Sequence, residues 1–345
     1  MNKIVKISFF TLLISSLMIS SSLNAKLTEP VRTFPSLPLL QREAKFQEVR
    51  KAFEDRSNLF LKGKHFEAWK PNKATSEIEK EFSRIEEWRT HNWYDDSGEL
   101  LISRPDFMIS QELLEKGYFR RPHLIAFEYN KTDGSYNSSS IILNDQKFLA
   151  LEAPTNKTLN QFFKLLQNFQ VSQLVCLTSA NENGQEQSFP YWERRIKNPQ
   201  VKSVKENPPP EQTILIPIFG TYNKTFPIAY YHLDNWRDNN GTDPKSLLSL
   251  IQKVRKHYDP DQGLLACHCR LGVGRTGTFI AGFALIQDID RQIASGIKPE
   301  NIEVSIEKTV MQLSLQRPYM VSQASQYLTL YRLVDYYIKT LNKSS

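Results

Sequence analysis

The stretch ACHCRLGVGRTGTFIAG, residues 266–282, brings together the features that decide the fold. A short apolar run ends at Cys269, a glycine-bearing loop follows, and Arg275 comes after five intervening residues. From Phe279 onward the apolar residues have the spacing of a buried helix. A loop between a strand and a helix turns its backbone N–H groups toward a phosphate-sized anion at the helix N-terminus. The stretch therefore predicts an anion site.

The side chains of this loop suit a nucleophile that acts on a phosphate group. The thiolate is the reactive form of cysteine, and inward N–H groups, a helix N-terminus and a guanidinium would all stabilise it at Cys269. Arg275 presents a planar fork that grips two phosphate oxygens at once. We expect Thr276 to donate its hydroxyl to the sulfur and His268 to fix the loop backbone. The other residues predicted to surround the anion are Arg270, Leu271, Gly272, Val273 and Gly274.

Strands and helices alternate along most of the chain. Apolar and β-branched runs predict strands at 171–177, 214–219, 229–233 and 264–268. Helical spacing is found at 159–166, behind a cap at Asp243, and at 306–315 and 322–341. This alternation predicts an α/β fold in which a central twisted mixed sheet is flanked by helices and the cysteine loop joins a strand to a helix. The site is expected at the carboxyl ends of the strands.

The N-terminal residues form a separate pattern. Lys3 and Lys6 precede an apolar run at 7–19, and small polar residues lead to Ala25. This pattern is typical of a secretory signal peptide at 1–25, so we expect an exported protein, periplasmic or secreted, with no stable membrane span after signal removal. Residues 26–90 are predicted to form an N-terminal helical extension and residues 91–345 the domain that carries the cysteine loop.

Composition excludes several classes of protein. The formal net charge is +7, but the basic residues are scattered, and no basic stripe interleaved with aromatic residues indicates nucleic-acid binding. The chain has three cysteines, an odd and small number that argues against a disulfide framework in an exported protein. The scattered charges are typical of the solvated surface of a globular protein.

Longer segments give the cysteine loop a context. HC, five residues and RTGTF, at 268–279, resemble the signature of the protein tyrosine phosphatases. NSSSI at 137–141, FLALEAPTNKTLNQFFKLL at 148–166 and VCLTSANENGQEQSFPYWE at 175–193 are similar to further segments of the tyrosine-specific branch. Order and spacing hold from about residue 118 to the C-terminus. The resemblance implies that residues 91–345 are a phosphatase-like catalytic domain that needs no metal and no cofactor.

The resemblance also implies an acid and a support for the loop arginine. Trp236-Arg237-Asp238 resembles the mobile Trp-Pro-Asp loop of the family, which makes Asp238 the general acid of the first step and the base of the second. Glu182 falls where the family places a glutamate that holds the loop arginine by a bidentate pair. Arg237 replaces the stiffening proline of that loop.

Two departures from the family bear on substrate and water. The segment FRRPH at 119–123 has Pro122 where the family's stacking tyrosine is expected. Ser322 stands where the water-positioning glutamine is expected, so Gln323 or Gln326 is predicted to take over. Tyr319 replaces a glycine beside the pocket and would either narrow the mouth or supply the missing aromatic wall.

The expected function is hydrolysis of phosphotyrosine in proteins through a phosphocysteine intermediate. Two alternatives remain open: an inositol polyphosphate phosphatase, which the altered segment at 119–123 would suit, and a phosphate-binding module with weak catalysis. Export together with this resemblance suggests a secreted bacterial protein that acts on host phosphoproteins. The sequence leaves the oligomeric state open.

Overall fold

The computed structural model describes residues 39–91, 120, 126–127, 132, 136–193, 212–217, 225–261 and 263–344. All of them lie in one compact unit, Ser36–Ser345. The predicted signal peptide and most of the segment at 119–123 lie outside the described residues. No helix among those described is long and apolar enough to cross a bilayer.

A six-stranded mixed sheet lies at the centre, in the order β1-β2-β8-β3-β7-β6. Its strands are β1 (Ser138–Leu143), β2 (Gln146–Leu151), β3 (Val171–Cys176), β6 (Gln212–Pro217), β7 (Thr225–His232) and β8 (Leu264–His268). The four inner strands run parallel, whereas β1 and β6 pair antiparallel at the two edges. A two-stranded hairpin of β4 (Asn181–Glu182) and β5 (Gln185–Glu186) stands apart from this sheet. The predicted fold class, a mixed sheet flanked by helices, is confirmed.

The strand boundaries differ from the sequence prediction mainly at β7. The strand was expected to begin at Ala229, but it begins at Thr225 and runs through Pro227. Proline lacks a ladder donor and is therefore a signal against a strand interior. Here Pro227 pairs with Leu215 of the edge strand β6, and the antiparallel pairing continues on both sides of it.

The helices cover the sheet. They are α1 (Leu39–Leu61), α2 (Thr75–His91), α3 (Leu159–Asn168), α4 (Pro244–Lys256), α5 (Gly274–Ala294), α6 (Ile306–Ser314) and α7 (Ala324–Ser344). The predicted cap of α4 is confirmed, because the Asp243 carboxylate accepts a hydrogen bond of 2.9 Å from the backbone N–H of Ser246. The last helix was expected to begin at Ser322 and instead begins at Ala324, because the carbonyl oxygen of Gln323 accepts its first hydrogen bonds, from the N–H groups of Gln326 and Tyr327.

Helix α5 is the central helix and is buried on nearly all sides over its first four turns. Close packing there requires glycine at two positions. A Cβ on Gly277 would lie 2.5 Å from the backbone nitrogen of Val321, and a Cβ on Gly282 would lie 2.8 Å from a methyl group of Leu333. The segment before α7 therefore lies directly against the start of α5, next to the cysteine loop.

Helices α1 and α2 share the core of the later residues. The apolar residues of α2 with helical spacing are Ile78, Phe82, Ile85 and Trp88, and all four are buried in the same cluster as the residues of α5 and α7. The N-terminal helices therefore pack on the core formed by the later residues. The proposed division near residue 90 stays a prediction.

Candidate active site

Cys269 directly follows β8 at the carboxyl end of the parallel strands. The loop after it turns sharply at Gly272, whose φ is +71°, and a Cβ there would lie 2.1 Å from the carbonyl oxygen of Leu151. Only glycine meets both the conformation and the close approach. The carbonyl of Arg270 accepts a hydrogen bond from Ala153, which ties the loop to the segment after β2. The loop then enters α5 at Gly274.

The thiol of Cys269 is set up to ionise. The residue is only 3% exposed, and burial opposes the thiolate. The positive charge of Arg275 and the nearby hydroxyl and backbone N–H of Thr276 outweigh that effect, so the pKa of Cys269 lies below its ordinary value. Cys267 and Cys176 are also free thiols, but burial raises the pKa of both, to about 12 for Cys176. Among the three cysteines, Cys269 is the one poised as a nucleophile.

His268 is a fully buried neutral side chain. Its Nδ1 lies 3.0 Å from the carbonyl oxygen of Cys269, and its Nε2 lies 2.6 Å from the hydroxyl of Tyr191. A carbonyl only accepts, so Nδ1 carries the proton and Nε2 accepts from Tyr191. Burial lowers the pKa of His268 to about 3. The imidazole therefore holds the backbone at the nucleophile and does not exchange protons near neutral pH.

The guanidinium of Arg275 lies at the centre of the site and is 1% exposed. Its Nη1 donates to Glu182 at 2.8 Å and to the carbonyl of Trp236 at 2.6 Å. Its Nη2 donates to Asp238 at 3.0 Å and to Gln187 at 3.3 Å. Burial lowers the pKa of Arg275, but the charges of Cys269 and Asp238 and the pairing with Glu182 raise it above its ordinary value. Its Nε–H is buried without a partner among the described residues and is free to bind a phosphate oxygen.

Glu182 links Arg275 to the acid loop. One carboxylate oxygen accepts from Arg275, and the other accepts a hydrogen bond of 2.8 Å from the backbone N–H of Asp238. The expected bidentate pairing with the arginine is therefore wrong in detail, because the second oxygen is used by the acid loop. Thr178 also donates to the carboxylate, at 3.3 Å. A single side chain thus fixes both the loop arginine and the backbone of the acid.

The acid loop is folded over Arg275. Trp236 is 1% exposed, and its indole N–H donates to the carbonyl of Asn240 at 2.7 Å. Asp238 is half-buried and reaches Arg275 through its side chain, whereas Arg237 is exposed. A polar cleft of about 670 Å³ lies between this loop and the β4–β5 hairpin, and Cys269 does not line it. Asp238 occupies one of the N–H groups of Arg275 that face the site, at Nη2.

The two candidate glutamines occupy different places. Gln326 is 1% exposed, and its side-chain amide lies 2.9 Å from the position that a Cβ on Gly274 would occupy. The hydroxyl of Ser322 lies 2.6 Å from the same position. Gln323 contributes its carbonyl oxygen to the first turn of α7, where Tyr327 donates to it at 3.0 Å. The structure therefore places Ser322 and Gln326 against the cysteine loop.

Two supporting residues were missed by sequence reasoning. Arg317 is fully buried and donates to the carbonyls of Gly272 at 2.8 Å and Leu271 at 3.2 Å, so it fixes the backbone of the cysteine loop. Burial lowers the pKa of Arg317 to about 10. Gln187 accepts from Arg275 and is 1% exposed. Arg317 lies in the segment that holds Tyr319 and Ser322, two positions at which the sequence departs from the family, and nothing local distinguishes Gln187.

A family model for protein-tyrosine phosphatases matches residues 120–336. This range contains the cysteine loop, the acid loop and the segment before α7. The chain belongs to the protein-tyrosine phosphatase family. The expected membership of this family is confirmed.

Individual relatives are more distant. Receptor-type tyrosine-protein phosphatase alpha of Homo sapiens is 26% identical over 288 residues, which cover 78% of this chain and 33% of that protein. Receptor-type tyrosine-protein phosphatase eta of Mus musculus is 31% identical over 197 residues, 54% of this chain and 15% of that protein. The chain thus spans a third or less of the length of these relatives.

A solved structure shares the fold. It is described as "Structural basis of PTPN18 fingerprint on distinct HER2 tyrosine phosphorylation sites" and superposes with a TM-score of 0.60 at 19% identity. The similarity covers 76% of this chain and 96% of that chain. The described part of this chain therefore has the architecture of that structure.

Proposed function

We propose that this protein hydrolyses phosphotyrosine in proteins through a phosphocysteine intermediate. The observation that carries the proposal is the arrangement around Arg275, which lowers the pKa of Cys269 and binds both Glu182 and Asp238. A nucleophile, an anion-binding guanidinium and an acid thus converge at one loop. The family membership of the chain supports the same reaction class.

In the proposed first step, the Cys269 thiolate attacks phosphorus. The bond between phosphorus and the tyrosyl oxygen breaks, and that oxygen takes a proton from Asp238, which enters this step in its protonated form after leaving Arg275. Arg275 and the loop N–H groups hold the other phosphate oxygens, where negative charge accumulates in the transition state. Since Asp238 occupies Nη2 of Arg275 in the free site, the entering phosphate takes its place and frees the acid to face the leaving oxygen.

In the proposed second step, water attacks the phosphocysteine. Asp238, now a carboxylate, accepts a proton from the water, and the bond between sulfur and phosphorus breaks. The hydroxyl of Thr276 stabilises the departing thiolate. Gln326 is the amide best placed to orient the water, because it lies against Gly274 of the cysteine loop. Inorganic phosphate and the free thiolate are the products.

The test compares three substrates with three proteins. A phosphotyrosyl peptide, the matched phosphoseryl peptide and inositol hexakisphosphate are incubated with wild type, Cys269→Ser and Asp238→Ala. We expect turnover of the phosphotyrosyl peptide, its loss in Cys269→Ser, and a decrease of about 10²- to 10⁴-fold in Asp238→Ala, the usual contribution of a general acid. Faster release of phosphate from the inositol phosphate would replace the proposal with the inositol alternative. Tight peptide binding without turnover would favour a binding module.

We further propose that the protein is exported and acts on phosphoproteins of a host cell. The support is the basic and apolar pattern at 1–25 together with membership of a tyrosine phosphatase family. Fractionation of the producing cells, with N-terminal sequencing of the secreted form, tests this. We expect a chain that begins near Lys26 outside the cytoplasm. Recovery of the full-length chain only in the cytoplasm would contradict it.

A further inference from the structure

A buried arginine of α2 contacts the segment that precedes α7. Arg89 is 1% exposed, lies near the end of α2 and falls outside the range matched by the family model, 120–336. Its Nη1 donates to the carbonyl of Val321 at 3.2 Å, and its Nη2 donates to the carbonyl of Met320. Its Nε donates to the hydroxyl of Ser314 at 3.0 Å, and Glu86 balances its charge. The guanidinium thus donates its hydrogen bonds to the backbone of the segment before α7 and to Ser314 in α6.

The loop that Arg89 binds, residues 319–322, has an unfavourable backbone. Tyr319 has a φ of +57° and Val321 a φ of +58°. A left-handed conformation is costly for a β-branched residue such as valine. Such conformations persist only where the surroundings fix them, and they concentrate at functional sites. The two carbonyl bonds from Arg89 are contacts that fix this loop.

The same loop lies against the cysteine loop. The N–H of Val321 donates to the carbonyl of Val273 at 3.3 Å, and Gly277 leaves room for the backbone of Val321. Ser322 follows immediately, beside Gly274 and hydrogen-bonded to Gln326. A shift of residues 320–321 would therefore move the groups that face the position of the attacking water.

A second contact holds α2 beside this loop. Glu81 is 1% exposed and accepts hydrogen bonds from the hydroxyls of Tyr327 and Tyr331 in α7 and from Lys73. Tyr327 is the neighbour of Gln326 in the first turn of α7. Helix α2 is thus attached both to the loop and to the helix that follows it, which fixes the position of Arg89.

We propose that Arg89 is a positioning residue for the second step, the hydrolysis of phosphocysteine. This inference rests on the proposed function, because it assumes the two-step reaction. Arg89 touches neither the thiol nor the substrate. It acts by holding the carbonyls of Met320 and Val321, so that Ser322 and Gln326 stay at the distance from the cysteine loop that orients water.

The test separates the two steps with p-nitrophenyl phosphate in rapid mixing. Release of nitrophenol in the first turnover reports the first step, and steady-state turnover reports the second step when that step is the slower one. In Arg89→Met we expect kcat to fall by about 10-fold, within the range that misplacement of a catalytic group produces, while kcat/KM changes by less than about twofold. A burst of phenol close to one equivalent per enzyme should appear, with phosphocysteine accumulating. Lys80→Met, an exposed cation on the same helix, should match wild type.

Each outcome bears on a defined claim. Equal falls of kcat and kcat/KM without a burst in folded Arg89→Met would overturn the positioning role, as would unchanged kinetics. Should Arg89→Met not fold, Arg89→Lys keeps a buried donor, and we expect a smaller burst from it; its absence would overturn the inference. If wild type forms no phosphocysteine, the proposed function and the positioning role of Arg89 both fail. If wild type turns over normally but Arg89→Met shows no burst, only the positioning role fails.

Discussion

Cys269 is 3% exposed, a degree of burial that by itself would keep its thiol protonated. Arg275 and Thr276 reverse that preference, since both stabilise the thiolate. Because the sulfur is buried, a thiolate without a partner would be energetically costly. Ionisation of Cys269 is therefore sensitive to the loss of Arg275 or Thr276. At the scale of single residues, ionisation of one sulfur depends on two adjacent side chains.

Substitution Arg275→Met should raise the pKa of Cys269, because burial then acts with less opposition. Thr276→Val should raise it by less, since the guanidinium charge remains. The pH dependence of alkylation of Cys269 by iodoacetamide, followed by mass spectrometry, measures the change. Midpoints that coincide for wild type and both variants would show that other groups ionise the thiol.

His268 should make folding dependent on pH. Its pKa is about 3 in the folded protein and about 6.5 in the unfolded chain, so the unfolded state binds more protons between these values. The resulting stability is fully present above pH 6.5 and is lost as the pH falls. Between pH 6.5 and 5, wild type should lose roughly 2 kcal/mol more free energy of unfolding than His268→Asn. Urea unfolding at both pH values measures this, and equal losses would argue against a buried neutral histidine.

At the scale of elements, the β4–β5 hairpin and the acid loop act as one unit. Glu182 belongs to the hairpin, yet its carboxylate binds both Arg275 of α5 and the backbone of Asp238. Arg120 secures the far side of the hairpin by donating to the carbonyl and side chain of Glu186. The closed position of the acid therefore depends on a strand pair outside the main sheet.

Substitution Glu182→Gln should lower kcat/KM by about 10- to 100-fold, the value of one hydrogen bond to a charged group. Glutamine has one acceptor oxygen in place of two, so it cannot accept from both Arg275 and the Asp238 N–H at their present positions. It also removes the negative charge beside Arg275. Asp234→Asn, an exposed acid near the same loop, is the control and should be neutral. Steady-state kinetics on a phosphotyrosyl peptide measures the effect. A Glu182→Gln enzyme as active as Asp234→Asn would show that Glu182 does not couple Arg275 to the acid loop.

The sequence predicted the parts of the fold that have local causes. Alternation of apolar runs located β3, β6, β7 and β8 apart from their ends, and Asp243 marked the start of α4 because a cap is a contact within four residues. Long-range contacts left no such signal. Arg275 meets Glu182 across 93 positions and Arg89 meets Val321 across 232, and neither spacing can be read from periodicity. Only the resemblance to the family pointed to Glu182, and nothing pointed to Arg89.

At the scale of the whole molecule, one core joins the N-terminal helices to the catalytic loops. Ile85 is fully buried, and it lies in the same cluster as Phe279 of α5 and Tyr327 of α7. The described residues thus form a single unit in which α2 supports the segment before α7. Removing packing from α2 should therefore be felt by the entire protein.

Substitution Ile85→Ala should reduce the free energy of unfolding by about 2–5 kcal/mol, the usual cost of such a truncation in a core. Unfolding by urea should remain a single transition, with the fluorescence of tryptophans in α2 and in the acid loop changing together. A separate early transition of α2, or a cost below about 0.5 kcal/mol, typical of surface positions, would contradict a shared core.

The covalent intermediate is the feature on which every proposed role depends. Wild type and Cys269→Ser are each mixed with a phosphotyrosyl peptide, quenched with acid within milliseconds and digested. The mass of the fragment that contains residue 269 is then measured by mass spectrometry. We expect one phosphoryl group on Cys269 in wild type and none in Cys269→Ser. Turnover of the peptide by wild type without any phosphorylated Cys269 would contradict the mechanism.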